Sequence, residues 1–514
     1  QPILMHADVD KRAKIRDGRV ILTGGVTNNP YIVKYIQDKL PDIKIIIPDY
    51  VQKVGRMLGK EGFDCYIVGG AIRDLVMGKI PHDYDLATDA LPDEMLNIFP
   101  KSVSIGAKFG TVMALVQDSK GETHEVEVTT FRSESNYIDG RWPTSVKFVE
   151  DIDQDLGRRD FTFNAMAINL SDVELDGMEA EKEVEIYDPF NGLEDIKNKL
   201  IRAVGTPLER FKEDGLRGFK ACRLAAQLDF EIDQDTFNAI KESLPVASQV
   251  SMERIRDEFM KMLLNSSKPS IGIELMRQTG LLNIFMPELL EGVGVEQKYY
   301  HSDDVYWHSL RTCDSAEDSV KLAALLHDIG KPRTDMGNGH FYGHDSVGAD
   351  MAEAIMKRMK FPQSEIKRVV LLIKNHMFYY PYVTENMSKE EAQKIELREW
   401  TDSAVRRFIQ RVGIDNIDEL FRLRMADAQS NAKTSFNPEE ITILQKRISE
   451  VLHQDMALKI TDLKVRGEDL VAIGFKEGPQ LGTILRELLD MVIDDPMLNT
   501  KEKLLEKAKQ LANI

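Results

Sequence analysis

Four residues in the first third of the chain have the types and spacing of a site that handles phosphates. Gly69 and Gly70 end an apolar run and open a helical pattern, which aims backbone N–H groups at a phosphate. Asp83 and Asp85 would share one face of a strand, where two carboxylates repel each other unless a divalent cation lies between them. Such ligands suit Mg²⁺ in two-metal chemistry, which activates a hydroxyl and stabilises leaving pyrophosphate. Glu127 is either a third carboxylate or a partner for an arginine.

Two charged blocks further along the chain offer groups for the rest of a nucleotide. Arg158 and Arg159 supply forked donors that suit triphosphate oxygens, and Asp160 can accept from a ribose hydroxyl. In the block EDGLR, Asp214 and Arg217 are three apart in a helical pattern, which predicts neighbours on one helical face. Together they would offer an acceptor and donors to the edge of a base, and the plain alternative is a surface salt bridge.

A second cluster, in the other half of the chain, has the composition of a metal site. His327 and Asp328 are adjacent in the apolar helical pattern LAALLHDIGKP, where both are costly unless they bind something. Imidazoles with carboxylates favour a transition metal (Mn, Fe or Ni), with Mg²⁺ as a weaker fit. With His308 before this pair and Asp427 after it, the order H, HD, D resembles the HD-superfamily metal phosphohydrolases, and this resemblance implies His308, His327, Asp328 and Asp427 as ligands, with His344 and His376 as extra ligands for a second metal.

Charge limits the partners that the chain can have. The 514 residues include 67 Lys+Arg and 85 Asp+Glu, for a net charge of -18, which excludes a general polyanion binder. Any grip on nucleic acid must come from local basic stretches. Residues 196–228 hold eight Lys/Arg against three acids, and residues 357–374 hold six against one.

Cysteine content and hydropathy indicate the compartment. Three cysteines without CxxC spacing support neither a disulfide framework nor a zinc–thiolate site, so we expect a reducing, cytoplasmic location. No stretch approaches 18 uncharged apolar residues, so no membrane span is predicted.

The elements that position these groups change character along the chain. Residues 19–50 predict a strand, a helix and a second strand that ends at Tyr50, an extension of unclear role. Short β-rich runs alternate with helical ones over 51–200, which predicts a small mixed sheet with helices. Helical periodicity dominates after residue 201. The predicted fold class is therefore α+β.

The motifs together resemble one family, the class II tRNA nucleotidyltransferases, which comprise CCA-adding enzymes and bacterial poly(A) polymerases. The resemblance rests on GGAIRD with DYD, then GRRDFTFNAMA, DPFNGLEDI, EDGLR and SMERIRDE in the family's order. It implies a polymerase-beta-like head, Mg²⁺ held by catalytic Asp83 and Asp85, and the 3′ end of tRNA, ATP and CTP as partners. The nucleotide-binding residues that it implies are Gly69, Gly70, Arg73, Asp74, Arg132, Arg158, Arg159, Asp160, Asn164, Asp214, Arg217 and Arg223.

The resemblance also gives roles to the remaining segments. Glu253 and Arg254 of SMERIRDE would stabilise helices, and the order H, HD, D resembles HD-superfamily metal phosphohydrolases, which implies a second activity on phosphoesters. The implied domains are an extension (1–50), the head (51–200), a nucleotide-selecting and RNA-binding neck (201–265), connecting helices (266–300), an HD domain (301–435) and a tRNA-binding helical tail (436–514).

Several alternatives stay open at this point. A polar, turn-rich stretch between Phe131 and Asp160 resembles the loop that lets family members switch from CTP to ATP, and SIGAKFGTV resembles the tRNA enzymes. Trp142 and Lys220 depart from the family pattern, since arginine is frequent at both positions. The alternatives are an A-adding enzyme or poly(A) polymerase, and an HD phosphohydrolase whose head serves as an RNA-binding scaffold. The sequence does not decide between a monomer and a dimer.

Overall fold

The structure, a computed structural model, divides the chain into two compact units. One comprises residues 1–254 with 278–281, and the other comprises 255–277 with 282–514. None of the described helices is long and apolar enough to cross a membrane. The residues that the structure describes are 13–16, 19–22, 47–106, 110–138, 142–170, 185–297, 303–337, 339–378, 380, 400–430, 439–453 and 459–512.

The strands all lie in the first unit. They are β1 (Ala13–Arg16), β2 (Arg19–Leu22), β3 (Cys65–Val68), β4 (Asp85–Thr88), β5 (Val103–Gly106), β6 (Thr111–Gln117), β7 (Thr123–Thr130), β8 (Arg132–Ile138), β9 (Trp142–Phe148), β10 (Ala167–Asn169), β11 (Leu200–Ile201) and β12 (Glu231–Ile232). Six of them form a mixed sheet in the order β10, β3, β4, β7, β6, β5, in which β4 and β7 run parallel and the other neighbours antiparallel. The other pairs are β1–β2, β8–β9 and β11–β12.

Helices surround this sheet and make up the described part of the second unit. They are α1 (Asp49–Lys60), α2 (Gly70–Val76), α3 (Pro92–Ile98), α4 (Ile152–Gly157), α5 (Gly192–Lys197), α6 (Pro207–Glu213), α7 (Leu216–Leu228), α8 (Gln234–Glu242), α9 (Leu244–Ala247), α10 (Met252–Asn265), α11 (Pro269–Thr279), α12 (Leu282–Phe285), α13 (Val305–Ser315), α14 (Lys321–Leu326), α15 (His344–Arg358), α16 (Gln363–Asn375), α17 (Asp402–Val412), α18 (Ile417–Ser430), α19 (Glu439–Leu452), α20 (Gly467–Ala472), α21 (Pro479–Asp494) and α22 (Lys501–Ala512). Short 3₁₀ turns lie at Thr162–Asn164, Pro287–Gly292, Pro332–Thr334, Ile414–Asn416, Ile460–Asp462 and Pro496–Leu498.

Both faces of the sheet are covered by apolar side chains. Val54 and Leu58, four residues apart on α1, are fully buried in the larger core together with Val112 of β6. Successive residues of β4 alternate, so that Leu86 joins this core and Ala87 joins a smaller one on the other face. The alternation fixes which face of the sheet each of these side chains occupies.

The beginning of the chain corrects one prediction. The second predicted strand was to end at Tyr50, but Asp49 and Tyr50 belong to α1, because Pro48 has an extended backbone and starts the helix. The predicted boundary after residue 50 therefore falls inside α1. The rest of the predicted helix and strand, up to residue 46, lies outside the described residues, while the first predicted strand contains β2.

All the named secondary-structure elements in the described part of the second unit are helices or 3₁₀ turns. Helix α13 packs against α14 and α18, and α15 packs against α16. The C-terminal helices α20 to α22 have a core of their own, which includes Leu470, Leu488, Val492 and Leu504. The prediction of helices beyond residue 201 is confirmed, with the two-residue pair β11–β12 as a small addition.

Candidate functional site

The two aspartates of the predicted metal site lie where β3 and β4 meet the turn before α2. Asp85 is the first residue of β4 and pairs with Val68, the last of β3. Asp83 lies in the loop just before the strand, so the prediction that both occupy one strand is wrong. The two still interact: desolvation by the surrounding protein and the charge of Asp83 raise the pKa of Asp85, and Arg159 acts in the opposite direction.

Glu127 joins the two aspartates from the neighbouring strand. Val128 of β7 pairs with Leu86 of β4, which places Glu127 beside Asp85. Desolvation and the charge of Asp85 raise the pKa of Glu127, while Arg132 lowers it. Both roles predicted for Glu127, beside the aspartates and beside an arginine, thus fit its position. The charge of Asp83 raises the pKa of both Asp85 and Glu127, so the three carboxylates form a group that a divalent cation would stabilise.

The glycine turn lets charged groups approach the backbone closely. Gly69 has a φ of 77°, and a Cβ there would lie 3.1 Å from Arg159 Nη1 and 3.7 Å from Asp85 Oδ2. Gly70 begins α2, and a Cβ on it would lie 3.3 Å from Arg73 Nη2. The turn therefore brings guanidinium groups and a metal-directed carboxylate to one place.

A buried acid that the sequence analysis missed holds the two arginines of the RRD block. Arg158 Nη2 lies 2.7 Å from Asp155 Oδ1, and Arg159 Nη2 lies 3.1 Å from Asp155 Oδ2. The Asp155 side chain is only 1% exposed. Burial opposes its ionisation, but the two guanidinium groups outweigh burial and lower the pKa of Asp155. The spacing of three and four residues along α4 was the signal that could have identified it.

A chain of hydrogen bonds links Asp160 to helix α2. Asp160 Oδ1 accepts from Asn164 Nδ2 at 3.2 Å and from the Phe161 amide at 2.9 Å. Asn164 Oδ1 in turn accepts from Arg73 Nη1 at 3.1 Å, and Arg73 Nη2 lies 2.7 Å from Asp74 Oδ1. Four predicted nucleotide-binding residues, Arg73, Asp74, Asp160 and Asn164, are therefore brought together.

The EDGLR block does not form one continuous helix. Helix α6 ends at Glu213 and α7 begins at Leu216, with Asp214 extended between them. Gly215 is required at the break, because a Cβ there would lie 2.7 Å from Val246 O and 2.8 Å from Ala247 N. The prediction that Asp214 and Arg217 are neighbours on one helical face is therefore wrong.

Asp214 and Arg217 instead have separate ionic partners. Arg254, predicted to be structural, places its Nη2 2.8 Å from Asp214 Oδ2. Arg217 is 8% exposed, with Nη1 2.8 Å from Glu213 Oε2 and Nη2 2.9 Å from Arg158 O. Arg217 thus connects the neck to the RRD block.

Arg223 is the remaining predicted member on α7. Its Nη1 donates to Gln227 Oε1 at 2.6 Å, one turn further along the helix.

The predicted metal ligands of the second unit come together in two groups. His308, His327 and Asp427 form one, and Asp328, His344 and His376 form the other. Within each group the potential ligand atoms lie within 4.8 Å of one another. The six residues come from α13, the end of α14, the start of α15, the end of α16 and α18.

Asp328 belongs to the second group but also faces the histidines of the first. Its Oδ2 is 3.1 Å from His327 Nε2 and 3.4 Å from His308 Nε2, and its Oδ1 is 3.5 Å from His344 Nε2 and 3.7 Å from His376 Nε2. Burial opposes ionisation, but His327 and Lys331 hold the pKa of Asp328 well below its usual range. A carboxylate with one oxygen toward each group can bridge two cations.

The histidine rings are oriented for metal binding. In three of them Nδ1 contacts the carbonyl oxygen three residues earlier, at 2.6 to 2.8 Å: His327 to Ala324, His344 to Phe341 and His376 to Ile373. This contact directs Nε2 into the cluster. Within the described residues, His327 Nε2 is buried and makes no regular hydrogen bond, although it lies 3.1 Å from Asp328 Oδ2. The donor set therefore fits a bound metal.

One further residue of this site was missed. Lys331 is 8% exposed, and its Nζ lies 2.6 Å from both Asp328 Oδ2 and Gln297 Oε1. The lysine three residues after Asp328 in HDIGKP was the signal, and it went unused.

Comparisons with known proteins agree with this geometry. The family models described as "Poly A polymerase head domain", "Probable RNA and SrmB- binding site of polymerase A" and "HD domain" match residues 65–202, 229–292 and 299–402. A CCA-adding enzyme of Pediococcus pentosaceus is 32% identical over 453 residues, 88% of this chain and 94% of that enzyme. One of Ligilactobacillus salivarius is 30% identical over 470 residues, 90% of this chain and 98% of that enzyme.

The chain belongs to the CCA-adding enzyme family. The crystal structure of the Bacillus stearothermophilus CCA-adding enzyme in complex with CTP matches this fold with a TM-score of 0.63 and 26% identity, and the match covers 91% of this chain and 98% of that one. The resemblance predicted from the motifs and the α+β fold class, with head, helical neck and HD domain, are thereby confirmed. The domain limits and the roles of individual residues remain predictions for this member of the CCA-adding family.

Proposed function

We propose that this chain completes or repairs the 3′ CCA end of tRNA from CTP and ATP without a nucleic-acid template. The observation that carries the proposal is the convergence of Asp83, Asp85 and Glu127 beside the arginines of the RRD block, in a chain that belongs to the CCA-adding family. Carboxylates in need of a cation and guanidinium groups in need of an anion are the two halves of a site for metal-bound nucleoside triphosphate.

Asp83 and Asp85 are the proposed metal ligands of the head. Mg²⁺ bound there would activate the terminal hydroxyl of tRNA for attack on the α-phosphate and stabilise the leaving pyrophosphate. The carboxylates present hard oxygen donors, which suit this ion. Glu127, beside Asp85, adds the negative charge that keeps a cation in place.

The triphosphate is the proposed ligand of Arg158 and Arg159. Asp155 forms ion pairs with both guanidinium groups, so they are oriented before the nucleotide binds. The Gly69–Gly70 turn and Arg73 supply further donors beside them. Asp160 is placed to accept from a ribose hydroxyl.

Base selection is proposed for Asp214 and Arg217. The described bonds of Asp214 are one to Leu216 N through Oδ1 and one to Arg254 through Oδ2, and a carboxylate has about four acceptor sites. It can therefore also accept from the exocyclic amine that cytosine and adenine share. The Arg254 and Glu213 ion pairs fix both side chains without filling their capacity.

The second unit is a proposed metal-dependent phosphohydrolase. Four imidazoles and two carboxylates, with Asp328 between the two groups, suit two transition-metal ions (Mn, Fe or Ni) better than Mg²⁺. Metal bound there would supply a hydroxide for attack on a phosphoester. Lys331 would keep Asp328 ionised and oriented.

Partner surfaces and compartment complete the proposal. The basic stretches 196–228 and 357–374 and the helical tail are proposed to hold tRNA. All three cysteines are buried free thiols, which suits the reducing conditions of the cytoplasm.

A single-nucleotide assay tests the polymerisation. Purified protein is given tRNA ending before the CCA, after C or after CC, with CTP or ATP alone. We expect CTP to extend the first two ends and ATP to extend the third. Addition of A but never of C would make the chain an A-adding enzyme. Unbroken addition of A would make it a poly(A) polymerase, and no addition at all would favour the HD phosphohydrolase with an RNA-binding head.

A further inference from the structure

Lys220, where the family often has arginine, faces the aspartate of the RRD block. It lies on α7, and its Nζ is 3.5 Å from Asp160 Oδ2. The side chains are 31% and 17% exposed, so the pair is partly shielded from solvent. Both residues belong to the first unit.

The two oxygens of Asp160 have different surroundings. Oδ1 accepts from Asn164 and from the Phe161 amide, and both bonds are within hydrogen-bond distance. Oδ2 faces Lys220 at a distance longer than the 2.7–2.9 Å or so of a charge-assisted hydrogen bond. Lys220 therefore attracts and orients Oδ2 while that oxygen keeps the capacity to accept from a ligand.

The charges around Asp160 keep it ionised. Burial would raise its pKa, but Lys220 first, then Arg217 and the bonds from Asn164 and Phe161, lower the pKa of Asp160 to about 2. At neutral pH the carboxylate is thus an acceptor only, and its natural partner is a hydroxyl donor.

We propose that Lys220 is a positioning residue for sugar selection, which holds Asp160 Oδ2 where it accepts a hydrogen bond from the ribose 2′-hydroxyl of the incoming nucleotide. The inference rests on the proposed function of the head and adds to it the residue that sets the preference for ribonucleotides. A 2′-deoxynucleotide would leave a partly buried carboxylate without its partner, which is how sites built around one hydroxyl reject the analogue lacking it.

The contacts of the two Asp160 oxygens explain why Lys220, rather than Asn164 or Arg73, would set the preference for ribonucleotides. Asn164 donates a hydrogen bond to Oδ1 and accepts one from Arg73, which connects Oδ1 to α2. Lys220 instead faces Oδ2 from α7. Loss of the amine would leave Asp160 anchored on one side and free to rotate its other oxygen. ATP would then lose its specific contact, and dATP would lose little.

The test compares kcat/KM for ATP and dATP on tRNA ending in CC. We expect Lys220→Met to lower the ATP:dATP ratio by about tenfold, mostly through ATP, because one oriented hydrogen bond is worth about one decade. Lys220→Arg, which keeps a cation, should stay within about threefold of the wild type. Lys241→Met, a change of an exposed lysine on α8, serves as the matched control and should leave the ratio unchanged.

A double-mutant comparison separates a direct role from a general one. In an Asp160→Ala background the ratio should already be low, and Lys220→Met should lower it no further. An additional loss in that background, or an unchanged ratio in Lys220→Met with both substrates equally impaired, would overturn the inference. If the wild-type protein adds no A to tRNA ending in CC, the proposed function itself fails, which is a distinguishable result.

Discussion

The head and the HD region place their carboxylates in opposite electrostatic surroundings. In the head, desolvation and neighbouring acids, Asp83 among them, raise the pKa values of Asp85 and Glu127. In the HD region burial acts the same way, but imidazoles and Lys331 outweigh it and hold the pKa of Asp328 below its usual range. In the head, burial and the neighbouring acids outweigh Arg159 and Arg132, whereas in the HD region the positive groups outweigh burial.

This difference indicates when each site takes its metal. The head has carboxylates on one side and the guanidinium groups of Arg158 and Arg159 on the other, so metal and triphosphate complete it together. The HD cluster has six candidate ligands, and the rings of three of its histidines are held by backbone contacts that need no substrate. We therefore expect purified protein to retain metal in the HD cluster and to take Mg²⁺ into the head only with nucleotide.

The largest expected effect comes from a variant that disables nucleotide addition by the head and leaves the HD region intact. Asp85→Asn should reduce nucleotide addition at least about 100-fold, because transition-state charge stabilisation of this kind is worth several kcal/mol. Metal content of the purified protein should not change, as measured by mass spectrometry of the elements. Asp93→Asn, an exposed change on α3, is the control. An Asp85→Asn protein that still adds nucleotides would contradict the assignment.

The next largest effect comes from a variant that weakens metal binding in the HD region and leaves the head intact. His327→Ala should weaken metal retention about 10- to 100-fold or more, because it removes a ligand whose orientation is fixed by Ala324. Addition of C and A should stay at the wild-type rate. His340→Ala changes an exposed histidine outside both ligand groups and should keep the metal. Equal loss of metal in both variants would mean that the cluster is not the binding site.

A smaller effect tests the anchoring of the RRD arginines. Asp155→Asn should raise KM for CTP and ATP about tenfold and lower stability at pH 7 by about 2 kcal/mol, since it removes a buried partner of two cations. Steady-state kinetics and urea unfolding measure the two changes, with exposed Asp153→Asn as the control. Unchanged KM would show that Arg158 and Arg159 are positioned without Asp155.

The same variant has a signed pH dependence. Because the folded pKa of Asp155 is lowered, its stabilising contribution is present above the unfolded pKa of about 4 and is lost as pH falls through the folded value. The stability difference between wild type and Asp155→Asn should therefore shrink in acid. A difference that grows below about pH 4 would reverse the sign and contradict the ion-pair account.

The smallest effect concerns base selection. Arg254→Met releases one side of Asp214, and we expect the ratio of C to A addition on the matching tRNA ends to change about threefold, with overall activity lowered less than by Asp85→Asn. Lys261→Met, on the same helix and 61% exposed, is the control. An unchanged ratio would leave Arg254 with a packing role only.

Residue types and spacing in the sequence predicted the family but missed much of the geometry of the two sites. The two glycines, the aspartate pair, the RRD block and the H, HD, D order identified the family, because each motif carries its own chemical requirement. The helix break at Asp214 was not predicted, because the block has a helical pattern. Gly215 is needed there only for its close approach to Val246 and Ala247, which the sequence does not show.

Partners that are distant in sequence escaped as well. The contacts of Arg254 with Asp214 and of Lys220 with Asp160 span 40 and 60 residues and arise only when these distant segments meet in the folded chain. Asp155 and Lys331 are close in sequence to the motifs that they support, but an acid or a lysine near a motif is too common to be informative alone. Neither the order of the sheet nor the parallel β4–β7 pair follows from periodicity.

Sequencing of the product ends tests the central claim most directly. Wild-type protein is given tRNA that lacks its last three nucleotides, together with CTP and ATP, and the 3′ ends are read. We predict that the products accumulate as tRNA ending in CCA and extend no further, and that Asp85→Asn yields unchanged substrate. Products that carry A without C, or long runs of A, would contradict the account.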